Sequence, residues 1–110
     1  MEILKIFRNE LKNSKPPKYK IIGIVSEMIL SKELFEKNLE IKLFLKEVFD
    51  KEFNAYVYAS RTLIISRTVR LIAKSEDKEY LTYKNKLYKF TVKRIDSSKS
   101  TQKNTFDGWL

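Results

Sequence analysis

The chain has no cysteine and no histidine among its 110 residues. Thiol nucleophiles, disulfides, zinc fingers and imidazole acid–base chemistry are excluded together, and with them most familiar hydrolase mechanisms. Glycine is scarce, with two residues, and together with the abundant Ile and Lys this fits a thermophilic or AT-rich genome. Long apolar runs are also missing. No stretch nears the length needed to cross a bilayer, and Met1-Glu2-Ile3-Leu4-Lys5 lacks the basic start and apolar body of a signal peptide. The expectation is an intracellular, cytoplasmic protein with no membrane partner, associated with the nucleoid if it binds DNA.

What is present is positive charge and enough apolar residues for one core. A chain of this length buries one modest core, and 43% hydrophobic with 13% aromatic residues is too rich for a disordered polymer. Lys and Arg number 23 against 14 acids, a formal net charge of +9, which suits a polyanionic partner. The charge is uneven. Residues 31–53 carry five Lys and six acids and sum to −1, whereas residues 54–103 carry twelve basic and four acidic residues and sum to +8.

Apolar spacing predicts a first helix over Glu2–Lys12, using Ile3, Leu4, Phe7 and Leu11. Ser14-Lys15-Pro16-Pro17 breaks the pattern and restarts it, since Ser caps and Pro suits a first turn. A second helix is predicted over Pro17–Leu30, burying Ile21, Ile24, Val25, Met28 and Ile29. The β-branched run Lys20–Val25 also suits a strand, but helical spacing favours the helix. Ser31 predicts a short helix over Lys32–Lys37 ending at Asn38. A third long helix follows over Leu39–Phe53, with Leu43, Phe44, Val48 and Phe49 inward. Residues Asn54–Ala59 read as a connection or short strand, with Ser60 as the next N-cap.

Arg61–Lys74 is the most informative helix. Ile64, Ile65, Val69, Leu71 and Ile72 share one arc, while Ser66, Arg67, Arg70 and Lys74 collect on the other; the segment holds four cations and no acid. After the polar turn Ser75–Lys78, Tyr80–Tyr83 and Leu87–Val92 read as two strands joined by Lys84-Asn85-Lys86, a hairpin with a basic tip. Residues 96–104 have no large apolar side chain and no period, and are expected to form a flexible linker. Phe106, Trp109 and Leu110 then restore three large apolar residues.

Helices, a cationic amphipathic helix and a hairpin with a basic tip, in that order, resemble a winged helix-turn-helix domain of the small archaeal type. That resemblance implies an α+β fold over residues 1–95, a recognition helix in the major groove and a wing on the backbone. Arg61, Ser66, Arg67, Arg70, Lys74, Lys84, Asn85 and Lys86 become the expected nucleic-acid-binding residues, the arginines suited to guanine edges and the lysines to phosphates. Opposing this, charge runs usually form plain solvated faces, though such faces normally mix Glu with Lys. Tyr56 and Tyr58 could stack on bases, but packing is the expected role of tyrosines in a short strand. Glu33, Glu36 and Glu40, three and four apart, could gather a catalytic metal; the interspersed Lys32 and Lys37 make surface ion pairing the better reading.

The terminal segment Lys103-Asn104-Thr105-Phe106-Asp107-Gly108-Trp109-Leu110 resembles the PIP box by which replication and repair proteins dock on the sliding clamp PCNA. Phe106 matches the first anchor, and Trp109 and Leu110 the terminal pair; Lys103 stands at the position of the motif's Gln, with Gln102 one residue earlier. The resemblance implies that a 3₁₀ turn in residues 105–110 forms a hydrophobic plug. The competing fate of these aromatics is to fold back on the domain's own core. Together these features predict a non-enzymatic, cofactor-free DNA-binding accessory protein of replication or repair. Its partners are DNA, PCNA and the replication or repair enzyme that performs the chemistry. The alternatives are a winged-helix transcriptional regulator, acting as a homodimer, and a metal-dependent nuclease.

Overall fold

A computed structural model describes residues 2–107, and the side chains of residues 2–97. Five α-helices and one 3₁₀ helix make up its regular structure: α1 (Glu2–Leu11), α2 (Lys18–Leu30), α3 (Asn38–Phe49), the 3₁₀ helix Ala55–Ala59, α4 (Arg61–Lys74) and α5 (Asp77–Asp107). There is no strand among the described residues, and none of these helices is long and apolar enough to cross a membrane. The α+β winged-helix expectation is therefore corrected to an all-helical fold.

The correction centres on α5. Tyr80, Tyr83, Leu87, Thr91 and Ile95 are buried, three or four residues apart, which is the stripe of a helix and not the alternation of a strand. The Tyr, Thr and Val of residues 80–92 favour strands by at most about 1 kcal/mol per residue. Burying that stripe against α1 and α3 is worth more, at roughly 1.5–3 kcal/mol per large apolar side chain. The threonines adapt locally: Thr91 donates to the Leu87 carbonyl at 2.8 Å and Thr82 to that of Lys78 at 3.1 Å, the back-bonding that lets a hydroxyl sit in a helix. The backbone of residues 96–104, expected as a linker, falls within the bounds of α5.

The other helices follow their periodicity more closely. All five residues assigned inward on α2 are buried, as are Leu4, Phe7 and Leu11 on α1, whereas Ile3, the fourth apolar residue of the α1 pattern, is exposed. On α3, Phe44, Val48 and Phe49 are buried as predicted, but Ile41 and Leu45 join them while Leu43 is 68% exposed. The helix stops at Phe49, four residues before its expected end, where Asp50 turns left-handed with φ 51° and ψ 43°. Phe44 packs edge-on against the half-buried Phe90 with centroids 4.7 Å apart, and Phe49 against Tyr83 at 4.9 Å.

The short helix expected over Lys32–Lys37 is a turn. Its carbonyls have other partners. Arg94 of α5 donates to the Leu34 carbonyl, and Arg61 to those of Phe35 and Glu36, so guanidinium groups satisfy acceptors that a helix would satisfy itself. Lys18 closes α4 in the same way, donating to the carbonyls of Ala73 at 3.1 Å and Ser75 at 2.6 Å.

Candidate nucleic-acid interface

Helix α4 begins where it was expected to. The Ser60 hydroxyl accepts from the Leu63 amide, the N-cap bond that a Ser before an apolar-periodic run supplies. The buried stripe is narrower than the predicted arc: Ile64, Thr68 and Ile72 are fully inside, and Ile65, Val69 and Leu71 only partly. Thr68 tolerates this position because its hydroxyl donates to the Ile64 carbonyl at 2.8 Å. With the inward face fixed by these three residues, Ser66, Arg70 and Lys74 are exposed and Arg67 is half-buried.

Arg67, Arg70 and Lys74 line one side of a cleft of about 380 Å³, floored by Val57 and Leu71. The facing wall is the segment after α3, with Lys51, Phe53, Asn54 and Tyr56, and Glu79 of α5 stands at the margin. Four cations thus face one carboxylate. None of the four is in an ion pair among the described residues, although Lys5, Lys15, Lys20, Lys46 and Lys93 elsewhere are. Arg67 donates to the Tyr56 hydroxyl at 3.2 Å, tying α4 to the facing wall.

The two tyrosines considered for stacking separate here. Tyr58 is structural: its hydroxyl accepts from the Phe53 amide at 3.0 Å, its ring lies 6.4 Å from that of Phe53, and the Lys42 ammonium sits 5.8 Å from its ring centre. Tyr56 is 58% exposed and lies on the cleft wall, contrary to the packing role expected of it. Lys51 and Phe53, expected within α3, are cleft residues that periodicity concealed because the helix ends before them.

The remaining predicted residues do not join this site. Arg61 is turned inward, and its guanidinium meets five acceptors: Asn38 Oδ1 at 3.0 Å and the carbonyls of Ile29, Ser31, Phe35 and Glu36. Lys84, Asn85 and Lys86 are not a wing tip but successive residues of α5; Lys84 is only 8% exposed, while Asn85 and Lys86 face outward. The Asp50 carboxyl is held below its ordinary range chiefly by a hydrogen bond and the charge of Lys46, with a smaller contribution from Lys86. Glu33, Glu36 and Glu40 do not assemble: no cluster of three potential metal-ligating side chains occurs among the described residues. Gln102, Lys103, Phe106, Trp109 and Leu110, the expected clamp-docking residues, have side chains outside the described residues. Comparison with known proteins finds no family model, no curated protein and no solved structure that matches this chain.

Proposed function

We propose that this chain is a non-catalytic DNA-binding accessory protein that holds the phosphate backbone in the cleft between α4 and the segment after α3. The observation that carries this reading is the meeting of Lys51, Arg67, Arg70 and Lys74 from two elements around one concavity, with a single carboxylate at its margin. An ordinary solvated helix face mixes acids with its lysines; this one gathers unpaired cations from two elements and walls them with an aromatic side chain. Such a site binds polyanions by releasing condensed counterions, so its affinity falls steeply with salt. The recognition geometry differs from that of a helix-turn-helix domain, because α4 works together with the wall beside it.

The test is binding of a labelled 20-nucleotide DNA across a salt series, with wild type beside Arg70→Ala and Lys74→Ala. Each variant should weaken binding and reduce the slope of log K against log salt by about 0.7–0.9 per lost phosphate contact. An unchanged slope in both would exclude the cleft as the interface. The clamp-docking half of the proposal rests on the PIP-box resemblance of Lys103–Leu110. Truncation after Asn104 should abolish binding to the sliding clamp and leave DNA binding intact; retained clamp binding refutes it.

A further inference from the structure

We infer that the cleft takes a single-stranded nucleic acid, with one base stacked on Tyr56 and the flanking phosphates held by Arg70, Lys74 and Lys51. The inference rests on the nucleic-acid reading above and names the class of strand that reading leaves open. Two features of the site select it.

The first is shape. A helix reads a duplex by entering the major groove, which requires its polar face to project from the surrounding surface. On α4, Arg70 and Lys74 are exposed, but they share a concavity with the half-buried Arg67. Lys51, Phe53, Asn54 and Tyr56 line the same concavity, and Arg67 is half-buried with its guanidinium engaged by the Tyr56 hydroxyl, so it is not presented for reading a groove. A volume of about 380 Å³ lies at the small-molecule end of binding sites, roughly 300–1,000 Å³. It is the scale of one nucleotide unit and not of a paired helix.

The second is chemistry. Sites for single strands pair a basic track with exposed aromatic rings, because every base offers a π-face once it is unstacked. Tyr56 meets that requirement and is held for it: 58% exposed, yet its hydroxyl is fixed by the Arg67 guanidinium at 3.2 Å. An exposed ring so oriented loses little side-chain freedom when a base lands on it. Arg67 therefore positions the ring, while Arg70 and Lys74, one turn apart along α4 and both exposed, lie along the path of a backbone. The neighbouring Tyr58 is also held through its hydroxyl, but it is half-buried, with Phe53 and the Lys42 ammonium against its ring, so it offers no open face to a base.

The experiment measures fluorescence anisotropy of labelled oligo-dT, oligo-U and a blunt duplex of equal length with the full chain at one salt concentration. Oligo-dT should bind at least tenfold tighter than the duplex; oligo-U binding tighter than oligo-dT would keep the single-strand inference and overturn the DNA part of the reading above. Tyr56→Ala should weaken single-strand binding about tenfold without altering its salt dependence, because stacking displaces no counterions. Tyr56→Phe, which keeps the ring and loses only the bond to Arg67, should retain most of the affinity. Equal or tighter duplex binding, or a silent Tyr56→Ala whose helical circular dichroism matches wild type, overturns the inference while sparing the nucleic-acid reading. Failure to bind any of the three overturns both.

Discussion

Arg61 stands where α2, the turn after it and α4 meet, and its donors serve carbonyls of residues 29, 31, 35 and 36 together with the Asn38 side chain. A guanidinium has five N–H groups in a fixed fork, and here each faces an acceptor, although the Ser31 carbonyl also accepts from the Phe35 amide at 2.9 Å. Arg61→Ala should lower stability by about 2–4 kcal/mol, because it leaves several part-buried carbonyls unsatisfied at once. Arg61→Lys should recover little of this, since a single ammonium cannot reach so many acceptors. Denaturant unfolding measures both. The same variants, assayed where they remain folded, should bind DNA like wild type, whereas Arg70→Ala should not. A loss of DNA affinity in Arg61→Lys equal to that of Arg70→Ala would place Arg61 back in the interface.

At the scale of elements, the decisive feature is that residues 80–92 continue one helix instead of turning back on themselves. Asn85 tests this directly. Its side chain is exposed, and in a hairpin link a proline at this position would be accommodated. In the middle of α5 a proline removes a backbone hydrogen bond and clashes with the preceding turn, so Asn85→Pro should destabilise by about 3 kcal/mol or more and reduce helical circular dichroism. A variant as stable as wild type would restore the hairpin. The helical stripe Tyr80, Tyr83, Leu87, Thr91 and Ile95 was present in the sequence, and could have been found by counting matches to each period. It was masked by residue types, since Tyr, Thr and Val carry a β preference that is intrinsic but small, whereas the burial that outweighs it depends on neighbours brought by α1 and α3. The end of α3 was hidden for a related reason: Phe53 continues an apolar pattern, and only Asp50 adopting a left-handed conformation takes it out of the helix and onto the cleft wall.

For the molecule as a whole, the tyrosines that join α5 to the rest set an alkaline limit. Burial pushes the Tyr80 phenol above its ordinary value of 10.0; Tyr83 is raised first by burial and then by the charge and hydrogen bond of Glu79. Tyr80 donates to the Pro16 carbonyl, fastening the start of α5 to the chain between α1 and α2. A phenol whose folded pKa is raised contributes stability that is complete below the unfolded value and lost as pH rises through the folded one. Stability should therefore hold up to about pH 10 and fall above it. Tyrosinate absorbance should show these two groups ionising together with unfolding, and Tyr80→Phe should weaken that dependence. Ionisation of all tyrosines with no loss of helix would contradict this account.

The sequence by itself determined the inward faces of α1 and α2, the N-cap at Ser60 and the placement of Arg67, Arg70 and Lys74 on one acid-free face. Each depends on spacing within a single helix, and helical geometry is the same whatever the helix packs against. Tertiary structure alone decided that Arg61 turns inward, that residues 80–92 are helical, and that Lys51 and Tyr56 stand opposite the cationic face. Each of these depends on which distant carbonyl, apolar stripe or cation a residue meets. Local spacing fixes a direction from the helix axis; only packing places a partner there.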